Sequence, residues 1–367
     1  MKFQYVKRFV ALLAVTAAFS VALNSCGGDD NELEETGFDR KILLEDVGTN
    51  LIIPNLEKLQ GSVQALSATA SAFSQDPNEA NLQALRQNWV QAATDFQHCS
   101  AFGFGPGSLP LGSFSSVLGA FPVDEAQVEQ NIGDPNFSLA STFDRDVRGL
   151  FVAEYLIYGN GQTNTEIIAG FSQERKDYLL LIVEELESTL NTMVSEWNDS
   201  YLQEFIANDG TSAGSSVSLL YNAFVSDYEN LKNFKIELPA GLTAGQEGVQ
   251  PELVEAYYSG ISRSLIAEHF ENSKNIWYGR TKDDQNFTGF KEYVESVVEG
   301  PELVATTIEA IGEIDADIAA LPQGRFSEHV GSPEAEALRD ELQSNTANFK
   351  SSMSSLLGIS ITYNSGD

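Results

Sequence analysis

Apolar residues recur at three- and four-residue steps along most of this chain. Between residues 172 and 197 the stripe is Leu179, Ile182, Val183, Leu186, Leu190, Met193, Val194 and Trp197, a spacing that puts them all on one face of a helix. Similar stripes run through residues 43–73, 82–96, 217–231, 253–277, 303–321 and 335–357. Strand-like alternation is scarce, so the pattern predicts an all-α chain.

Two stretches break the helical pattern. Residues 102–122, opening Phe102-Gly103-Phe104-Gly105-Pro106-Gly107, are too rich in glycine and proline to be helical, and residues 238–251 begin Leu238-Pro239-Ala240-Gly241. Long loops in helical proteins are often functional. The sequence Asn208-Asp209-Gly210-Thr211-Ser212-Ala213-Gly214 marks the boundary between an amino-terminal bundle over 39–208 and a carboxy-terminal bundle over 215–360. Leu156-Ile157-Tyr158-Gly159 and Ile276-Trp277-Tyr278-Gly279 each close a helix with a glycine C-cap. Five residues before each glycine stand Glu154 and Lys274, a faint repeat compatible with duplicated four-helix bundles.

The first 25 residues read as a secretory signal, with Lys2, Lys7 and Arg8 ahead of an apolar run from Phe9 to Leu23. Its end, Leu23-Asn24-Ser25-Cys26, resembles the lipobox of bacterial lipoproteins, which implies an acylated Cys26 as membrane anchor. Residues 26–38 form an acidic tether with too little apolar surface to fold. Acidic residues just behind the cysteine also resemble the surface-export signal of Bacteroidetes lipoproteins. The expectation is an outer-membrane lipoprotein, with periplasmic and cell-surface orientations both open.

Removing the signal takes three of 21 basic residues and none of the 53 acidic ones, moving the net charge from −32 to −35. A field of that sign disfavours nucleic acid and favours cations or basic partners, while also serving solubility. Only Cys99 remains besides Cys26, so the mature chain has no intrachain disulfide and its core must come from apolar burial.

The most informative single residue is Glu154. Val147, Leu150, Phe151, Glu154 and Tyr158 share one helix face, so a carboxylate sits within an apolar stripe. Its helical neighbours are Leu150, Phe151, Ile157 and Tyr158, none of them cationic. A partner must come from another helix, a metal or a ligand. Arg263, Lys274 and Arg280 are the candidate cations from the second half. There is no P-loop, no nucleophile elbow and no cysteine pair for zinc.

The segment from Arg148 through Gly149, Phe151 and Glu154 to Gly159 resembles the signature of the imelysin family, also classed as M75 peptidases, whose motif is G-x-H-x-x-E. Gly149 and Glu154 match, and Phe151 stands where the histidine belongs. Further agreement comes from Trp89 through Pro106, from Phe121-Pro122-Val123-Asp124, and from Pro251 through Ser262, so the likeness spans about residues 40–357. It implies an all-α fold of two helical bundles with a cleft between them and a secreted or lipid-anchored protein. Members are linked to iron uptake or described as insulin-cleaving peptidases. Phenylalanine has no lone pair, so half of the motif's cation-holding pair is missing.

Three readings follow. In the first, a lipid-anchored binding protein holds a metal-bearing molecule, a peptide or a glycan fragment in the cleft, using Glu154, Phe151, Gly149, Asp124, Glu255, Ser259, Ser262 and Arg263. An outer-membrane uptake partner fits this reading. In the second, a metallopeptidase holds a divalent metal or iron through Glu154 and ligands outside the motif, with His98 beside Cys99 as the weak candidate. In the third, Glu154 forms an ion pair that fixes bundle register. Asp124 and Ser262 also read as helix caps, Glu255 as a solvated face and Phe151 as core.

Overall fold

The computed structural model describes residues 37–363. The signal, Cys26 and nearly all of the acidic tether lie outside the described residues. From Phe38 onward the chain forms one compact unit, all-α as the apolar periodicity predicts and built as the two helical bundles that the family resemblance implies.

The first bundle contains α1 (Arg40–Val47), α2 (Ile53–Gln75), α3 (Glu79–Gln97) and the later α7 (Gln173–Glu196), with shorter α4 (Phe114–Leu118), α5 (Glu125–Ile132) and α6 (Leu150–Tyr158) between them. A π-helical segment, Gly48–Ile52, joins α1 to α2 without a break. Asn78 starts α3 by accepting a hydrogen bond from the Asn81 N–H, and Ser172 starts α7 in the same way through Arg175. α2 packs along both α3 and α7. Phe73 of α2, Trp89 of α3 and Trp197 just past α7 are fully buried, and each such side chain contributes roughly 1.5–3 kcal/mol of burial.

The second bundle contains α8 (Ser216–Asn230), α9 (Ser262–Tyr278), α10 (Gly300–Ala320) and α11 (Pro333–Ala347). Its core is aromatic: Phe224 meets Phe349 edge-on at 4.9 Å and stacks with Phe290 at 6.0 Å, and Trp277 packs on Phe349 at 5.6 Å. A π-helical segment, Leu231–Glu237, extends α8, and another, Asn348–Met353, extends α11. α9 also packs against α3 and so joins the two bundles.

Gly159 and Gly279 terminate α6 and α9 with φ of 67° and 62°, as the repeated aromatic-glycine ending predicts. Two local expectations need correction. The 102–122 stretch includes a helical turn, α4, capped by Ser113, and a two-residue antiparallel hairpin pairing Ser108 with Ser113. The helix expected from residue 253 begins only at Ser262, because Ala256 and Gly260 take φ of 54° and 78° and turn the backbone before it. That turn supplies the contact at Glu154. No described helix is long and apolar enough to cross a membrane.

Candidate functional site

Both ends of α6 are fixed by side chains from neighbouring helices. Trp89 Nε1 donates to the Leu150 carbonyl at 2.7 Å, and Tyr178 Oη donates to the Val147 carbonyl at 2.7 Å. At the other end Arg86 donates twice to the Ile157 carbonyl, at 3.0 and 2.8 Å, satisfying an orphan acceptor of the last turn. Buried Arg148 secures the approach, pairing with Glu185 at 2.6 Å and donating to the carbonyls of Leu139, Thr142 and Asp144. Gly149 is the residue before the helix, with φ of 83°; a Cβ there would lie 2.3 Å from the Leu118 carbonyl oxygen. The backbone conformation and that close approach both require glycine.

Glu154 is 1% exposed. Its Oε1 accepts a hydrogen bond from the Ser259 backbone N–H at 2.6 Å, and its Oε2 has no hydrogen-bond partner among the described residues. Burial pushes its pKa up to about 8; the Ser259 bond and the positive charge of Arg325 oppose this, and the nearby charge of Glu255 adds to it. The neutral form of Glu154 is therefore favoured well beyond the ordinary carboxylate range. None of the expected cations pairs with it. Arg263 donates to the carbonyls of Leu321 and Ala319, Lys274 pairs with Glu271 and Asp315, and Arg280 pairs with Glu271 and Asp284. Arg325 is the cation that acts on Glu154, and it donates to the carbonyls of Tyr257 and Tyr258 in the same turn that carries Ser259.

The other predicted site residues divide into two groups. Glu255 and Ser262 are brought together, Ser262 Oγ donating to the Glu255 carbonyl, and both stand beside the Ser259 turn. Asp124 caps α5 by accepting from the Gln127 N–H at 2.9 Å. Phe151 is core, 1% exposed, and meets the rings of Trp89 and Phe121 edge-on at 6.4 and 5.6 Å. His98 is engaged by Glu268 rather than Glu154: Nε2 lies 2.7 Å from Glu268 Oε2, which also receives Lys282 at 2.7 Å. Burial lowers the His98 pKa despite that carboxylate.

A cavity of about 600 Å³ lies alongside this turn, lined by residues of both bundles. Glu255 is the one member of the predicted set on its wall; Phe121 separates it from Phe151. Two hydrogen-bonded polar clusters form its floor, with His269 Nδ1 left without a hydrogen-bond partner among the described residues. In one, Lys235 Nζ lies 2.8 Å from Glu255 Oε2 and also donates to Gln97, while Gln97 Nε2 donates to Glu255 Oε1 at 3.1 Å. In the other, Asp227 Oδ2 accepts from Ser100 Oγ at 3.0 Å and lies 3.0 Å from His269 Nε2. Phe143, Phe234 and Arg145 stand at the exposed rim with Asp144. Gln97, Asp227 and Lys235 were not singled out from the sequence, although Asp227 and Lys235 are charges within apolar helical stripes, the same signal that marks Glu154.

A hydrolytic zinc requires three protein ligands and an open position. The residues present do not fit it. Phe151 offers no donor, His98 is committed elsewhere, and no group of three or more His, Cys, Asp or Glu side chains arranged to hold a metal occurs among the described residues.

A helical pair of bundles joined at a turn, with a glycine-led glutamate helix against their junction, defines the class of protein. The imelysin (peptidase M75) family matches residues 52–353, and the chain belongs to that family. Iron-regulated protein A of Synechococcus elongatus is 19% identical over 237 residues, which cover 64% of this chain and 63% of that protein, so more than a third of the relative is unmatched. The crystal structure of an iron-regulated protein A precursor from Parabacteroides distasonis superposes with a TM-score of 0.72 at 16% identity, covering 87% of this chain and 95% of the other. An imelysin-like protein from Psychrobacter arcticum gives 0.70 at 18% identity, with 89% and 97% covered. At these identities the two structures establish the fold alone.

Proposed function

We propose that this chain is a lipid-anchored envelope protein that binds an organic ligand in the inter-bundle cavity without hydrolysing it, in a process tied to iron supply. The observation that carries the reading is the cavity itself. Its volume is in the range of small-molecule sites, and its wall combines aromatic rings with a few fixed polar groups. Glu255, held by Lys235 and Gln97, meets the ligand, while Glu154 lies one layer back and positions the Ser259 turn. The tie to iron rests on the relatives named iron-regulated protein A. The anchor rests on Cys26 and the lipobox-like residues before it, and an outer-membrane uptake partner is the natural recipient of the ligand.

The test against the peptidase alternative is metal analysis of the protein purified without chelator, with Glu154→Gln in parallel, together with an assay on unfolded peptides. Neither stoichiometric zinc or iron nor peptide cleavage is expected. One equivalent of metal that disappears in Glu154→Gln, accompanied by cleavage, would overturn the reading.

A further inference from the structure

The π-helical segment Leu231–Glu237 carries two buried lysines three residues apart, and they serve different surroundings. Lys235 lines the inter-bundle cavity, where Glu255 compensates it. Lys232, 5% exposed, lines a separate cavity of about 460 Å³ that opens at the surface of the second bundle, together with Lys350, Thr346, Glu229 and the exposed Gln343 and Ser351. Lys350 belongs to the other π-helical segment of this bundle, Asn348–Met353, and such wide turns occur frequently at functional sites.

The partners of Lys232 do not balance it. Its Nζ donates to Gln343 Oε1, a neutral amide oxygen, and no carboxylate lies within ion-pair distance among the described residues. Glu229, the acidic residue on this cavity wall, is already engaged: Oε1 lies 3.0 Å from Lys350 Nζ, and Oε2 accepts from Tyr363 Oη at 2.5 Å. A lysine ammonium has three donors and loses its hydration when buried, a cost that a single amide oxygen offsets poorly. Lys232 is therefore a buried cation with no acidic partner among the described residues, in a chain of net charge −32. An anion entering this cavity gains the Coulomb attraction of a desolvated cation, with the Ser351 hydroxyl on the same wall; the Thr346 hydroxyl donates its proton to the Leu342 carbonyl.

We propose that this cavity is a binding site for a small oxyanion, phosphate or carboxylate in chemistry, with Lys232 as its principal ligand. It is independent of the inter-bundle cavity and of the reading built on it. The test is titration of inorganic phosphate, sulfate or citrate into the compact unit from Phe38 onward, followed by thermal unfolding and calorimetry against chloride at constant ionic strength. Saturable stabilisation is expected, and the anion that saturates at lowest concentration identifies the source. Lys232→Met should weaken binding by about tenfold or more, roughly the loss of one charge-assisted hydrogen bond, whereas Lys176→Met on the first bundle should leave it unchanged. Gln343→Glu gives Lys232 an internal carboxylate, so it should raise the melting temperature in chloride and abolish the anion response; this arm stands even if Lys232→Met fails to fold. Absence of saturable binding of all three anions, or an unchanged response in Gln343→Glu, would overturn the proposal.

Discussion

The backbone N–H of Ser259 donates to Glu154 Oε1 at 2.6 Å, across 105 positions of sequence. This bond fastens the motif helix of the first bundle to the turn that opens α9 in the second. Ala256 and Gly260 take positive φ in that turn, and Arg325 donates to its Tyr257 and Tyr258 carbonyls. Glu154 is thus a clasp between bundles as well as a proton carrier.

That proton makes stability depend on pH. In the folded chain Glu154 titrates at about 8 against an ordinary 4.5, so between those values the folded state binds more protons than the unfolded state. The stability this group contributes is complete below about 4.5 and is lost as the pH rises through 8, with a slope of up to about 1.4 kcal/mol per unit. Glu154→Gln keeps the neutral form and should remove that slope. Urea unfolding of both proteins from pH 5 to 8 checks it; parallel profiles would refute the buried-proton assignment.

Lys235 and Glu255 form an ion pair on the cavity floor, both buried. Lys235→Met leaves the carboxylate without its cation and should cost about 3–5 kcal/mol. Adding Glu255→Gln should recover a large part of that loss, because the orphaned charge is gone. A double-mutant cycle by denaturant unfolding measures the coupling, and strictly additive losses would mean the pair does not act as a unit.

Gly149 and Gly161 both have positive φ, 83° and 74°, but only Gly149 has a neighbour where a Cβ would go. Gly161→Ala should cost about 1–2 kcal/mol, the backbone penalty alone. Gly149→Ala adds a clash with the Leu118 carbonyl and should cost clearly more. Equal losses in thermal unfolding would show that the strand of chain before α6 yields easily.

Phe151→His restores the family motif in a closed apolar site. The imidazole is smaller than the ring it replaces and brings polar nitrogens among Trp89 and Phe121, so the change should cost roughly 2–4 kcal/mol. It should not create a zinc site, because the carboxylate near Glu154, that of Glu255, is already held by Lys235 and Gln97. Equilibrium dialysis showing one equivalent of zinc on this variant would contradict that.

The all-α plan was legible because apolar residues repeat with helical period over each long helix. Glu154 stood out because no same-helix neighbour could neutralise it, and Phe151 because it occupies a donor position in the motif. The turn from 254 to 261 was not legible, since Val254, Ala256 and Ile261 continue an apolar pattern that only the positive φ of Ala256 and Gly260 interrupts. Arg325 was invisible for a different reason: it acts on Glu154 from a loop, through carbonyls of the facing turn. Asp227 and Lys235 could have been found by applying to every stripe the question asked of Glu154. Their partners, His269, Ser100 and Gln97, are set by tertiary packing, which one sequence does not reveal.

Native mass spectrometry of the protein recovered from its own cells, without chelator, tests the binding reading most directly. A bound organic molecule on the order of a few hundred daltons, the size such a cavity holds, is expected on the unaltered chain and should be lost in Asn230→Trp, which fills the cavity from the end of α8. Identical masses for the two proteins, with no bound molecule on either, would contradict it.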